Sequence, residues 1–190
     1  MSQRSLYVPW KGRNRGGDAQ RRVLDERGTA AVELAIAVPI LLMLVFGMIS
    51  SGLVFFDLIS LNGAAREAGR FGATFPEEDA ASADQWFVDV AVVAQTTATG
   101  ALAEGASGRS ICVARGSEGG SARRYVVGIS DPIGAGVYAD AWCPSGNPDL
   151  PPGSGHEAVQ IDVQRDGIIQ ALFFSRTVHL VSGTTTRFER

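Results

Sequence analysis

The chain has 190 residues, 17 Lys and Arg against 20 Asp and Glu, and a formal net charge of −3. Once one membrane-length helix is set aside, that length leaves room for a single small domain and excludes two. The acidic balance argues against strong phosphate binding and so against a nucleic-acid partner.

Residues 1–28 carry seven Lys/Arg and three Asp/Glu, a balance of +4, whereas 29–190 carry ten against seventeen, a balance of −7. The first 24 residues are basic, contain Gly and show no apolar period, so they read as a disordered leader. A helix is predicted from near Gly28 to about Phe75. From Leu34 to Phe56 it has no charged side chain. At about 1.5 Å rise per residue this run crosses a hydrocarbon core of about 30 Å. The basic end precedes it, so the positive-inside tendency puts the N-terminus in the cytoplasm and the remainder outside. A secretory signal has a shorter apolar core and a small-residue cleavage site; the pattern here is longer and continues into helix-compatible sequence.

Pro39 lies inside the run and predicts a bend, because it removes a hydrogen bond and crowds the carbonyl of Ala35. Gly47 with Ser51, Ala64 with Ala68, and Ala65 with Gly69 are small-xxx-small pairs that allow close helix packing, although such residues are also simply common in spanning helices. Beyond Asp57 the helix becomes amphipathic, with Leu58, Ile59, Leu61, Ala65, Ala68 and Phe71 apolar and Arg66, Glu67 and Arg70 polar. Pro76 ends it at Thr74-Phe75.

A second helix is predicted over 80–102, with Ser82 and Gln85 as a capping box and Trp86, Phe87, Val90, Val93, Ala94 and Leu102 as a core stripe. From Gly105 the pattern changes to short strands at 110–115, 125–129 and 137–142, followed by the alternation Val159, Ile161, Val163. Residues 144–155 read as a polar loop, Asp166-Gly167 as a turn, and 177–180 and 184–188 as two closing strands. Residues 168–174 fit either a strand or a short helix. The fold class is α+β: a long N-terminal transmembrane helix, one further helix and a small antiparallel sheet. The domain plan is a basic leader (1–28), the long helix (29–75, spanning at about 34–56 with an amphipathic extension at 57–75) and an extracytoplasmic domain (76–190).

Cys112 and Cys143 both fall on the predicted outer side, where an even count in an oxidising compartment favours one disulfide closing a loop of about 30 residues. In the loop-entropy model it would stabilise by about 3–4 kcal/mol. Two separate buried thiols are the alternative. His156 and His179 are far apart and neither has a metal-ligating neighbour at the usual spacing. There is no G-x-S-x-G elbow and no Walker loop, and Gly134-Ala135-Gly136 lacks a third glycine. Asp131, Asp140 and Asp149 lack the spacing of a calcium loop. No enzyme, metal or cofactor is expected. Arg123-Arg124-Tyr125 reads as an exposed strand start.

Glu33 is the residue that asks for an explanation. A carboxylate at the edge of an apolar helix can rest in the headgroup layer at little cost. The sharper reading is that cleavage after Gly28 frees the amine of Thr29 and makes Glu33 the fifth residue of the mature chain. Among staggered helices the acid of one can then pair with the terminal amine of a neighbour, and an anion in the first turn suits the helix dipole.

The block Arg27-Gly28-Thr29-Ala30-Ala31-Val32-Glu33-Leu34-Ala35, then Pro39 and its apolar run, then Asn62-Gly63-Ala64-Ala65-Arg66-Glu67-Ala68-Gly69-Arg70, resembles the TadE-like family of the tight-adherence (Flp, type IVc) pilus apparatus. An aromatic often follows the family's Glu; here Leu34 does. The resemblance implies a pilin-like, non-enzymatic membrane protein that is a minor pilin or a pilus-assembly factor. It implies cutting after Gly28 by an aspartic prepilin peptidase, Glu33 as the assembly-critical acid, and other pilin or assembly subunits as partners. An uncut signal-anchored surface protein, whose outer domain binds another envelope component, is the second reading. A membrane-tethered enzyme is the third and weakest.

Overall fold

A computed structural model describes residues 16–75, 82–117, 121–144, 157–171 and 174–188. The chain forms two compact units, Met1–Val45 and Phe46–Arg190. Helix α1 (Gly16–Thr74) contributes to both and continues as one helix through Pro39. Its start corrects the expectation of a structureless stretch to residue 24. The sequence from Asp18 to Arg27 holds mostly good helix formers. Residues 1–15 lie outside the described residues.

In the second unit the last turns of α1 and helix α2 (Ala83–Thr97) cover one face of a five-stranded sheet. The strands are β1 (Ser110–Ser117), β2 (Ala122–Val127), β3 (Val137–Ala139), β4 (Glu157–Ala171) and β5 (Phe174–Arg187), in the order β3-β2-β1-β4-β5. Every pairing is antiparallel. Alternation selects the covered face: Ile111 and Val113, Tyr125 and Val127, and Val159, Ile161 and Val163 are buried against the helices.

Helix α2 starts three residues inside the predicted range, and residues 80–81 are not described. Ser82 caps it by accepting from Gln85 N at 3.1 Å. The return half of the expected box is absent, since Gln85 Nε2 donates to Asp89 Oδ1 at 2.8 Å instead. The helix stops at Thr97 rather than 102 because Thr99 and Gly100 take positive φ values of 46° and 90°, a conformation that ends helices. Ser60 of α1 fixes this exit by donating to Ala98 O at 2.6 Å. Trp86 is fully buried and donates from Nε1 to Phe75 O at 2.8 Å, joining α2 to the end of α1.

Several strand expectations change. Strand β2 begins earlier than predicted and β3 is shorter. Asp166-Gly167 is not a turn: β4 passes straight through it, with Asp166 opposite His179 and Gly167 opposite Val178. The ambiguous stretch after it is strand as far as Ala171, and Phe174 opens the return strand. The glycine is there for close approach. A Cβ on Gly167 would lie 3.2 Å from Val54 Cγ2 of α1 and 3.3 Å from Leu180 Cδ1. The two predicted closing strands are likewise one, β5, because Gly183 makes room for the Asp162 side chain on the neighbouring strand.

The opposite face of the sheet carries a smaller cluster around the Cys112–Cys143 disulfide, which is formed as expected. It clips the segment after β3 onto β1. Gln160 Oε1 supports the clip by accepting from Cys143 N at 3.1 Å. The polar loop predicted over 144–155 falls almost wholly outside the described residues.

Candidate functional site

Over residues 29–42 every side chain is exposed, including Val32, Leu34, Ile36, Ile40 and Leu41. Such a surface does not stay in water; it requires lipid or other helices around it. Thr29 and Glu33 lie on the exposed first turns of this stretch. Among the described residues Glu33 has no hydrogen-bond or ion-pair partner. The proposed cut at Gly28–Thr29 falls inside helix α1.

Partial burial of one face from Met43 onward becomes full burial at Leu61. Leu61, Ala64, Ala65, Ala68, Gly69 and Gly72 are buried and recur at the spacing of one helix face. A Cβ on Gly69 would lie 2.8 Å from both Thr184 Cγ2 and Thr186 Oγ1. Asn62 Oδ1 accepts from Ser182 Oγ at 2.6 Å. Ala64, Ala65, Ala68 and Gly69, singled out as packing residues, therefore seat α1 on the chain's own sheet and second helix. Arg70 donates to the Glu67 carboxylate across one turn on the outward side. Gly47 and Ser51, the other small pair, differ: a Cβ on Gly47 would meet nothing within 4 Å, and Ser51 Oγ donates back to Gly47 O at 2.8 Å.

Asp57 is the first charge after the apolar run, and it pairs with Arg165 of β4 at 3.1 Å. Just before it, Ser50 Oγ donates to Gln170 O at 2.8 Å. Neither contact is visible in the sequence, because each joins residues more than a hundred positions apart. An isolated polar side chain facing an apolar stretch was the available signal.

The remaining candidates are occupied locally. Arg123 and Arg124 are consecutive in β2 and so point to opposite faces. Arg123 pairs with Asp84 at 2.8 Å and lies over the Tyr138 ring, and Arg124 donates to Trp142 O at 3.0 Å. Partial burial pushes the Tyr138 hydroxyl above its ordinary pKa. Tyr125 is buried, donating to Ile133 O and accepting from Gly136 N, so Gly134-Ala135-Gly136 closes a structural turn. Arg109 is buried and donates to the carbonyls of Gly128 and Asp131 at 3.1 and 2.9 Å; desolvation moves its pKa down. His179 Nδ1 lies 2.5 Å from Asp166 on the surface. Among the described residues no group of three or more His, Cys, Asp or Glu comes together to hold a metal. Asp131 Oδ2 accepts from Gly128 N. His156 and Asp149 lie outside the described residues.

A family model described as TadE-like protein matches residues 28–70. No curated protein and no solved structure matches the chain. The matched stretch covers both parts of α1 described above: the uncovered segment with Glu33 and the buried face from Leu61 to Gly69. With the one helix among the described residues that is long and apolar enough to cross a membrane, the match points to a membrane-anchored protein associated with the Tad pilus.

Proposed function

We propose that this protein is a non-enzymatic minor pilin or assembly component of a Flp/Tad-type surface filament. Its N-terminus lies in the cytoplasm and its sheet-bearing unit outside. A prepilin peptidase removes the leader after Gly28 and frees the Thr29 amine. Glu33, now fifth in the chain, pairs with the amine of a neighbouring subunit and so sets the axial register between helices. An unpaired carboxylate among apolar helices is costly, and the pairing offsets that cost.

One observation carries this reading. Within the family-matched stretch, the segment around Glu33 has no cover from its own unit, while one helix face from Leu61 to Gly69 is buried in the fold. A surface that is apolar, bears one acid at its start and is left open by its own chain is suited to a second helix. In the bilayer, lipid fills that role; in a filament, packing against other subunits replaces it.

The test is the N-terminal sequence and intact mass of the protein from envelope and from sheared filaments. Mature material should begin at Thr29, and Gly28→Leu should abolish the shortening. Glu33→Ala should insert normally yet lose assembly. An intact leader on functional protein, together with full function of Glu33→Ala, would leave the uncut surface anchor as the better reading.

A further inference from the structure

Strand β1 pairs with β4 only as far as Gln164, whereas β4 and β5 go on pairing to Ala171 and Phe174. Beyond Gln164 the sheet thus narrows to a two-stranded ribbon lying along α1. Its contacts with α1 include Arg165 with Asp57, Gly167 against Val54 and Gln170 O on Ser50. A two-stranded ribbon alone is marginal in water, and this one exposes apolar side chains: Ile168 and Phe174 are 50% and 57% exposed. Arg176, also exposed, stands opposite Ile169. A cation set among apolar side chains is the composition of a membrane–water interface.

The place where the ribbon meets α1 identifies what it faces. Ser50 and Val54 belong to the uncharged run that ends at Phe56. If that run filled the hydrocarbon to its end, Ser50 would lie six residues, or about 9 Å, below the outer boundary. Gln170 would lie there too, together with the open backbone edge of β5. Unpaired backbone groups facing lipid find no partner there and are strongly disfavoured, so that depth is excluded. Counting back from Ser50 the roughly 20 residues that a bilayer core requires reaches Thr29–Ala30, and between these limits Glu33 is the only charge.

We infer that the part of the ribbon carrying Ile168, Phe174 and Arg176 rests in the outer interfacial layer of the phospholipid bilayer, with Ile168 and Phe174 at the acyl boundary and Arg176 at the phosphates. The hydrocarbon-crossing part of α1 then ends near Ser50 rather than Phe56, and the protein meets the membrane with two elements. This rests on the reading of α1 as a membrane anchor.

The experiment uses the full chain in vesicles of phosphatidylethanolamine and phosphatidylglycerol. A solvatochromic dye is placed on Phe174→Cys, Leu44→Cys or Thr185→Cys in turn; the native cysteines are both in the disulfide and take no label. Lipids carrying a spin quencher at the headgroup or deep in the acyl chain report depth. The expected result is that the headgroup quencher dims the Phe174→Cys dye several-fold, the deep quencher favours Leu44→Cys, and neither affects Thr185→Cys. Adding Ile168→Asp should relieve the quenching at Phe174→Cys while the melting midpoint holds. If Leu44→Cys is quenched and Phe174→Cys behaves like Thr185→Cys, the ribbon inference is wrong and the anchor stands. Deep quenching at Phe174→Cys overturns the interfacial placement. An unquenched Phe174→Cys that cross-links between copies assigns the ribbon to a second copy instead. If Leu44→Cys is also unquenched, the anchor reading itself fails.

Discussion

Two stretches of the same helix, residues 29–42 and 61–72, follow opposite rules. The first is rich in Leu, Ile and Val and is uncovered; the second buries a face built on Leu61 and on Ala and Gly. The less hydrophobic stretch is thus the one inside. Small side chains are needed where a helix must approach a sheet closely, as at Gly69 against Thr184 and Thr186. Large ones are suited to a surroundings that adapts to them, which lipid and neighbouring helices do. The difference teaches that a single family-matched segment combines two tasks: its second part closes the fold, and its first part is left for the outside.

This contrast can be broken most sharply at the core. Trp86→Ala should cost the outer unit about 3–5 kcal/mol, read as a lowered melting midpoint in detergent. Leu44→Ala should leave the same midpoint unchanged, because Leu44 is exposed; equal effects would erase the distinction. Removing the clip with Cys112→Ser should cost about 3–4 kcal/mol, and coincident melting curves with and without reductant would refute it. Gly69→Val should cost about 1–3 kcal/mol by overpacking against β5, whereas Gly47→Val, with nothing within 4 Å, should leave stability intact. Loss of assembly in Gly47→Val alone would show that the apolar run between the two stretches also packs against a partner. Asp57→Asn should have the smallest effect, about 1 kcal/mol, since the partly exposed Arg165 keeps access to water.

The helices, the α+β class and the disulfide were legible because each rests on local chemistry: periodicity in α2, the Ser82 cap, and two cysteines outside the apolar run. The strand ends were not, and the reason is specific to glycine. Asp166-Gly167 has the composition of a turn, and nothing near it in sequence reveals that Val54 requires the missing Cβ. Gly183 concealed the continuity of β5 in the same way. The small pairs at Ala64/Ala68 and Ala65/Gly69 were recognisable as a packing face, but the sequence does not say whose surface they meet. The exposed state of Glu33 follows from its position, and its role is read from its neighbours in sequence rather than from any contact within the chain.

The Ser182–Asn62 hydrogen bond spans 120 positions, and the strand that carries it also covers Gly69. The seat of α1 is therefore completed by one of the most sequence-distant elements of the unit. Until residues 174–187 arrive, the Ala and Gly stripe has no lid on its β5 side, and non-local closure of this kind is slow. Folding of the unit therefore includes an interval in which this face of α1 is bare and waits on the last strand to be made.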